Sequence, residues 1–441
     1  MKNQSQPNRY PQGAKLPLHS AYLGGWVQPA DVFVQFYAAE PNAFWLDGEF
    51  SPVDRFSILG AGVETQVSVE DQLAPHNFDE KVDLPFKWRP GLVGVVSYEG
   101  EPRFISADRA IVFDHEAQGL YFVGNFATAA DFEFWHHAAL LRLGLSGGQV
   151  ATYLHAKDEP EQKSIASLRH QPESYIELIK KAQQHIAAGD IYQLCLTNQI
   201  SIETSADPLA VFLKLRASNP APYSALLRLG SMTLVSSSPE QFLQVGPDGA
   251  ISTKPIKGTR PRGLSSEEDK SIADGLRSDA KERAENLMIV DLMRNDIGKV
   301  SEVGSVAVPK LFDIESYATV HQLVSTVTGR LAEGESAWSA VQAAFPGGSM
   351  TGAPKIRAME LIRDFESGPR GVYSGCIGYL AGDGSAEFAM VIRSIAFDSG
   401  IATIGVGGGI TIDSDPQTEL EETKLKAKVL LAALNAADPW A

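Results

Sequence analysis

Lys257 stands between Ile256 and Gly258 in the segment Ile251-Ser252-Thr253-Lys254-Pro255-Ile256-Lys257-Gly258-Thr259-Arg260-Pro261-Arg262. Desolvation lowers the pKa of a lysine, and an uncharged amine is a nucleophile. Lys254, Lys257, Arg260 and Arg262 gather four cations in a chain whose formal net charge is −16. An anionic substrate would find its positive contacts here, although a surface turn with scattered basic residues has the same composition. Carboxylates that could serve such a lysine lie elsewhere. Glu240 ends Ser237-Ser238-Pro239-Glu240 at the close of a strand, where burial would make it a general acid. Glu285 sits with Glu282 and Asp296 among apolar residues of a helical pattern. Glu419, Glu422 and Lys426 fall at i, i+3 and i+7, on one face of a final helix. Two carboxylates from different helices, with substrate and water oxygens, suit Mg²⁺; a solvated acidic face is the plainer alternative.

Two glycine-rich stretches test as anion cradles. Gly347-Gly348-Ser349-Met350-Thr351-Gly352-Ala353-Pro354-Lys355 lacks the Gly-Lys-Ser/Thr ending of a phosphate loop. Gly405-Val406-Gly407-Gly408-Gly409 runs into Ile410-Thr411-Ile412, not into a helix, which excludes a dinucleotide fingerprint. Its amides could form a carboxylate nest or simply a tight turn. Cys195 and Cys376 give neither a disulfide framework nor a metal spacing and read as core thiols.

These residues need elements to position them. Residues 21–153 are short β-rich runs (32–37, 44–47, 56–59, 92–98) broken by turn residues, with one helix at 132–145, which points to antiparallel sheet. A polar, proline-punctuated crossover covers 154–173. Helical spacing follows at 174–188, through Tyr175, Leu178, Ile179, Ala182 and Ile186 to a stop at Gly189. Strands are expected at 191–200, 223–229 and 232–236. A long helix spans 278–297, with Ser278 as its cap and Gly298 as its stop. Helices at 336–345 and 353–365 precede strands at 377–380, 389–397 and 401–405. The last helix, 416–436, opens on Asp415-Pro416. The expected organisation is α+β: a β-rich part over 1–160 and a catalytic part over 170–441, packed as one body around a large antiparallel core flanked by helices.

The chain has 441 residues, 44% hydrophobic and 21% charged, the composition of a soluble globular protein with a sizeable core. Its acidity argues against nucleic acid as a partner. No apolar run is long enough to span a membrane, and residues 1–17 lack a signal-peptide core, so a cytoplasmic location is expected.

Taken in order, these segments resemble the chorismate-utilising enzymes. The motifs are Gly189-Asp190-Ile191-Tyr192-Gln193, Ser238-Pro239-Glu240, 255–263, Glu285 with Asp291-Leu292-Met293-Arg294-Asn295-Asp296, 345–355, 375–379, Ile392-Arg393 and 407–426. Weaker similarity lies at 55–60 and 94–99. The resemblance implies a fold of two facing antiparallel sheets. Family members that add water carry a lysine where Gln193 stands, and glutamine is no base at neutral pH. Anthranilate-forming members read Pro-Ile-Ala-Gly-Thr where this chain has Pro255-Ile256-Lys257-Gly258-Thr259. The lysine version is similar to the branch that aminates chorismate at ring carbon 4. It implies that Lys257 attacks carbon 2 while the 4-hydroxyl leaves, protonated by Glu240, and that ammonia then displaces the lysine. The resemblance further implies Mg²⁺ on Glu285 and Glu422, with Glu419 in its water shell. Tyr379 and Arg393 would clamp the enolpyruvyl carboxylate, Lys426 and the Gly408 amides would fix the dianion, and Gln193, Thr351 and His321 would line the ring. No Gly-x-Cys-x-Gly glutaminase setting is present, so ammonia is expected from a separate glutamine amidotransferase subunit. Relatives also bind tryptophan in the N-terminal sheets, and Leu46-Asp47-Gly48 marks where such a pocket would lie. An anthranilate-forming enzyme and a non-catalytic chorismate- or tryptophan-binding subunit are the alternatives.

Overall fold

The computed structural model describes residues 16–51, 54–64, 68–73, 83–157, 163–317 and 320–441. The described strands form one twelve-stranded and one ten-stranded sheet. Their ladders are antiparallel and join distant parts of the chain: Asn42–Asp47 pairs with Tyr223–Leu229, and Gly91–Val96 pairs with Cys376–Ala381. Side chains on the facing surfaces interdigitate, Phe44, Ile58, Leu227 and Leu234 from the larger sheet against Val93, Ile105, Ile377 and Ala389 from the smaller. Each such side chain stabilises the fold by roughly 1.5–3 kcal/mol relative to exposure.

The outer surfaces are covered by helices. Pro29–Tyr37, Ala129–Leu143, Pro208–Ser218 and Pro416–Ala433 pack on the larger sheet through residues such as Phe33, Phe132, Phe212 and Leu430. Ala280–Gly298 and Ala337–Ala344 cover the smaller one through Ile289, Met293, Trp338 and Val341. The chain is therefore α+β with two facing antiparallel sheets. Among the described residues, no helix is long and apolar enough to cross a membrane.

Four local readings change. Residues 32–37, expected as strand, belong to the helix Pro29–Tyr37: Pro29 opens it, and Val32, Phe33 and Phe36 bury one helical face. Ser278 does not cap the long helix but ends the preceding one, Ser266–Ser278, and the side chain of Asp279 accepts from the Lys281 and Glu282 amides instead. The expected strand 389–397 is two strands, Ala386–Met390 and Ser394–Asp398, which belong to different sheets. Between them Arg393 has a positive φ of 51°. Finally, the glycine run is neither nest nor turn but the interior of the strand Ile401–Ile410, paired along its whole length with Gln193–Glu203.

Candidate active site

The far edges of the two sheets meet around Lys257. The edge strand Ile256–Pro261 pairs with Val320–Arg330, and the register slips between Lys257 and Thr259. Gly258 takes up the slip with φ +76°, a conformation that side chains resist. This half-buried lysine points across to the glycine strand: a methyl group on Gly409 would lie 3.4 Å from Lys257 Nζ and 2.3 Å from Gln193 Nε2. A methyl on Gly407 would fall 2.2 Å from the Leu196 carbonyl, and one on Gly405 would strike the Tyr373 ring at 2.0 Å. The glycines are thus a floor cleared of side chains. Gln193 is buried beside it, and its Oε1 has no partner among the described residues, which leaves an acceptor near the lysine amine.

Glu240 stands on the same side. It is 7% exposed, accepts from the Ser349 hydroxyl and the Ile256 amide, and feels the charge of Lys257. Burial outweighs these and pushes its carboxyl up to about 7. A carboxylic acid that keeps its proton near neutrality therefore lies within electrostatic reach of an amine.

The remaining carboxylates close the site from two helices. Asp279 caps Ala280–Gly298, which carries Glu285; Asp415 caps Pro416–Ala433 by accepting from the Thr418 amide at 2.8 Å, and this helix carries Glu419, Glu422 and Lys426. Burial raises the pKa of Glu285, and the negative charge of Glu419 adds to the rise while Lys257 opposes it. Burial likewise raises Glu419, whose Oε1 accepts from Ser414 at 2.7 Å. At Glu422 burial acts in the same sense but is outweighed by Lys426, 2.7 Å away, so its pKa falls. Glu285 and Glu419 thus disfavour each other's charge, with Lys257, Lys281 and Lys426 close enough to act on these acids. The acidic group whose ligand atoms lie within 4.8 Å of one another among the described residues is instead Asp47, Glu49 and His115. Lys426 Nζ also donates to the Gly407 carbonyl at 2.7 Å, and a methyl on Gly408 would lie 3.6 Å from it and 3.2 Å from Glu419 Oε2.

The anion clamp differs from expectation. Arg393 lies near Glu422 and Tyr373, whose charges oppose the lowering of its pKa by burial. Tyr379 is not beside it. With Ile377 and Ala381 it faces the core between the sheets, because alternate strand positions point to opposite faces. The tyrosine near Arg393 is Tyr373, at the end of Arg370-Gly371-Val372-Tyr373. His321 is also otherwise engaged: it is 2% exposed, with Nδ1 2.7 Å from the Ser316 hydroxyl and Nε2 2.9 Å from Asp269. The Thr351 hydroxyl donates to the Gly347 and Gly348 carbonyls within its own loop, while its carbonyl receives the Cys195 amide beside Gln193. Sequence reasoning passed over Tyr373, Ser349, Ser414 and Lys281. Only Lys281 carried a usable signal, its i, i+4 spacing to Glu285.

A cavity of about 60 Å³ opens between the sheets, lined among others by Asp47, Gly48, Asp54, Tyr223, Tyr379 and Glu387. Burial pushes Glu387 up to about 7, against the positive charge of Lys87.

Comparison with known proteins gives the family and the fold. Residues 35–432 match the family described as chorismate binding enzyme. An aminodeoxychorismate synthase of Streptomyces griseus is 44% identical over 385 residues, covering 82% of this chain and 52% of that protein. The chain thus spans about half the length of that relative. An anthranilate synthase component 1 of Thermus thermophilus is 34% identical over 467 residues, covering 96% of this chain and 98% of that protein. Among solved structures, anthranilate synthase component I from Streptococcus pneumoniae TIGR4 superposes with a TM-score of 0.69 at 27% identity, covering 98% of this chain and 95% of that one. The chain belongs to the family of chorismate binding enzymes.

Proposed function

We propose that this chain is the chorismate-aminating component of an aminodeoxychorismate synthase, converting chorismate and ammonia to 4-amino-4-deoxychorismate and water. What supports the reading is that Lys257 Nζ points to a strand floor without side chains while its charge reaches a buried Glu240 whose carboxyl is pushed up to about 7. Lys257 Nζ forms a bond to ring carbon 2, both ring double bonds shift around carbons 1, 6 and 5, and the carbon 4–oxygen bond breaks as Glu240 hands its proton to the departing hydroxyl. Ammonia then bonds to carbon 4, both double bonds return, and the carbon 2–nitrogen bond breaks. The proton shed by the new amine restores Glu240. The two displacements direct nitrogen to carbon 4, where a single attack at carbon 2 would give the anthranilate type of product. Gln193 cannot deprotonate water, which disfavours hydration of the ring.

Arg393, with Tyr373 beside it, and Lys426 hold the substrate carboxylates, an arginine fork suiting a planar carboxylate. Glu285 and Glu422 would hold Mg²⁺, with Glu419 through water, and the bound ion would neutralise the ring carboxylate. Ammonia comes from a glutamine amidotransferase subunit, and the product leads to 4-aminobenzoate and folate in the cytoplasm. The cavity between the sheets, with the acids Asp47, Asp54 and Glu387 and the rings of Tyr223 and Tyr379, suits the ammonium and side chain of tryptophan.

Anthranilate synthase component I is the second reading, supported by the Thermus thermophilus relative matched over nearly its whole length. Product analysis with chorismate, ammonium and Mg²⁺ separates the two. We expect 4-aminobenzoate only after an aminodeoxychorismate lyase is added. Fluorescent anthranilate formed without the lyase would overturn the proposal.

A further inference from the structure

Glu366, the last residue of the helix Lys355–Glu366, and Arg370 form an ion pair whose side chains are 1% and 2% exposed. The proposed chemistry does not use it. Every N–H of the Arg370 guanidinium has an acceptor. Nε donates to Glu366 Oε2 at 2.8 Å, and Nη2 donates to Glu366 Oε1 at 2.6 Å. The remaining bonds go to the Cys195 carbonyl at 2.8 Å, the Met350 carbonyl at 2.7 Å and the Ser374 hydroxyl at 3.3 Å. The ring of Tyr98 packs on the guanidinium, its centroid 4.4 Å from the central carbon.

Each acceptor adjoins a different part of the site. Met350 follows Ser349, whose hydroxyl donates to Glu240. Cys195 stands opposite Gly409 in the ladder, and Glu366 Oε1 also accepts from the amide and hydroxyl of Thr197, opposite Gly407. Ser374 follows Tyr373, whose ring lies against Gly405. Stability alone does not call for such a pair, because apolar residues of similar volume often serve a core as well or better. An apolar pair cannot hold three separate backbone and hydroxyl oxygens in one plane, and a rigid guanidinium fork can. We infer that Arg370 is a positioning residue for catalysis: its fork sets the spacing between the loop that supports Glu240 and the strand Gln193–Glu203, which is paired with the floor facing Lys257. The inference rests on chorismate turnover at this site, and not on which amino product leaves it.

The test follows loss of chorismate across pH, with ammonium and Mg²⁺, for the full chain as wild type, Arg370→Lys and the double variant Arg370→Met with Glu366→Gln, with thermal unfolding of each. Arg370→Lys keeps a charge for Glu366 but cannot span the other acceptors. The double variant removes both charges together, so no buried ion is left unpaired. In each we expect a folded protein with kcat lower by about 10- to 100-fold and KM within about threefold of wild type. The alkaline limb of kcat/KM should move to higher pH, because a displaced Ser349 no longer favours the charged form of Glu240. Wild-type kcat in either folded variant would overturn the inference. So would a lower kcat with an unmoved limb, the mark of general loosening, or failure of both variants to fold, the mark of a purely structural pair. If Arg370→Lys alone fails to fold, the double variant decides. Anthranilate as the wild-type product would overturn the proposed product and leave the role of Arg370 standing, whereas a wild type that consumes no chorismate would overturn both.

Discussion

Because burial holds the Glu240 carboxyl up to about 7, its proton is present below that pH and lost above it. A general acid is active only when protonated, so kcat/KM should fall about tenfold per pH unit above roughly pH 7. Glu240→Gln cannot donate and should lower kcat by about 10²- to 10⁴-fold while flattening that limb; stopped assays across pH check both. Lys257→Ala should cost more than about 10³-fold in kcat and leave chorismate binding in place, because the nucleophile and its acid act as one unit. Turnover surviving in that variant would favour an anthranilate-type reaction, and absence of any turnover in the wild type would favour a non-catalytic subunit. At this scale part was readable: Lys257 Nζ lies by Gln193 and Gly409, and Glu285, Glu419, Glu422 and Lys426 are near enough to act on one another's charge. Tyr379, His321 and Thr351 did not follow, for a common physical reason. A residue type and its motif fix a position along the chain, but the face of a strand or the local partners decide where the side chain goes. Tyr379 follows its strand's alternation inward, and His321 is taken by Asp269 and Ser316.

Helix ends are the most legible elements because their caps are written locally. Asp415-Pro416 announced the last helix, whereas the long helix's cap moved from Ser278 to Asp279 and the helices Pro29–Tyr37, Pro208–Ser218 and Ser266–Ser278 were not read from the sequence. Asp279→Ala should therefore cost about 1 kcal/mol in denaturant unfolding, since two helix amides lose their acceptor. Gly258→Ala should cost more, about 1–3 kcal/mol. Its φ is +76°, and the added methyl would lie 2.8 Å from Leu276 and 2.9 Å from the Glu282 carboxyl. Relief of that crowding would move the neighbouring lysine, so kcat should drop with stability, as paired unfolding and rate measurements would reveal. The glycine strand was not legible in this way. Its lack of side chains answers to Tyr373, Leu196 and Gln193, which lie far off in sequence, and no local pattern can announce a distant neighbour's volume.

For the molecule as a whole, patterning indicated antiparallel α+β architecture, while the two facing sheets came only with the family resemblance. Strand order depends on pairings such as Asn42–Asp47 with Tyr223–Leu229, which alternation alone cannot specify. The layered arrangement also leaves Glu387 beside the inter-sheet cavity with its pKa raised to about 7 by burial. A carboxyl whose folded pKa exceeds its unfolded value binds more protons when folded, so it favours the fold at low pH. That advantage is lost as pH rises from about 4.5 through about 7. Glu387→Gln should therefore raise the melting temperature at pH 8, by the equivalent of about 1 kcal/mol or more, and change little at pH 4. Paired thermal scans at the two pH values would show it.

Lys257 and Glu240, the amine and acid of the proposed reaction, lie well before the glycine strand and the final acidic helix in chain order. While the polypeptide is still emerging from a ribosome, residue 257 has neither its floor nor the carboxylates of residues 419 and 422. Competence for catalysis would then switch on late, at the docking of Pro416–Ala433, and a nascent chain would be spared adventitious chemistry at its own nucleophile.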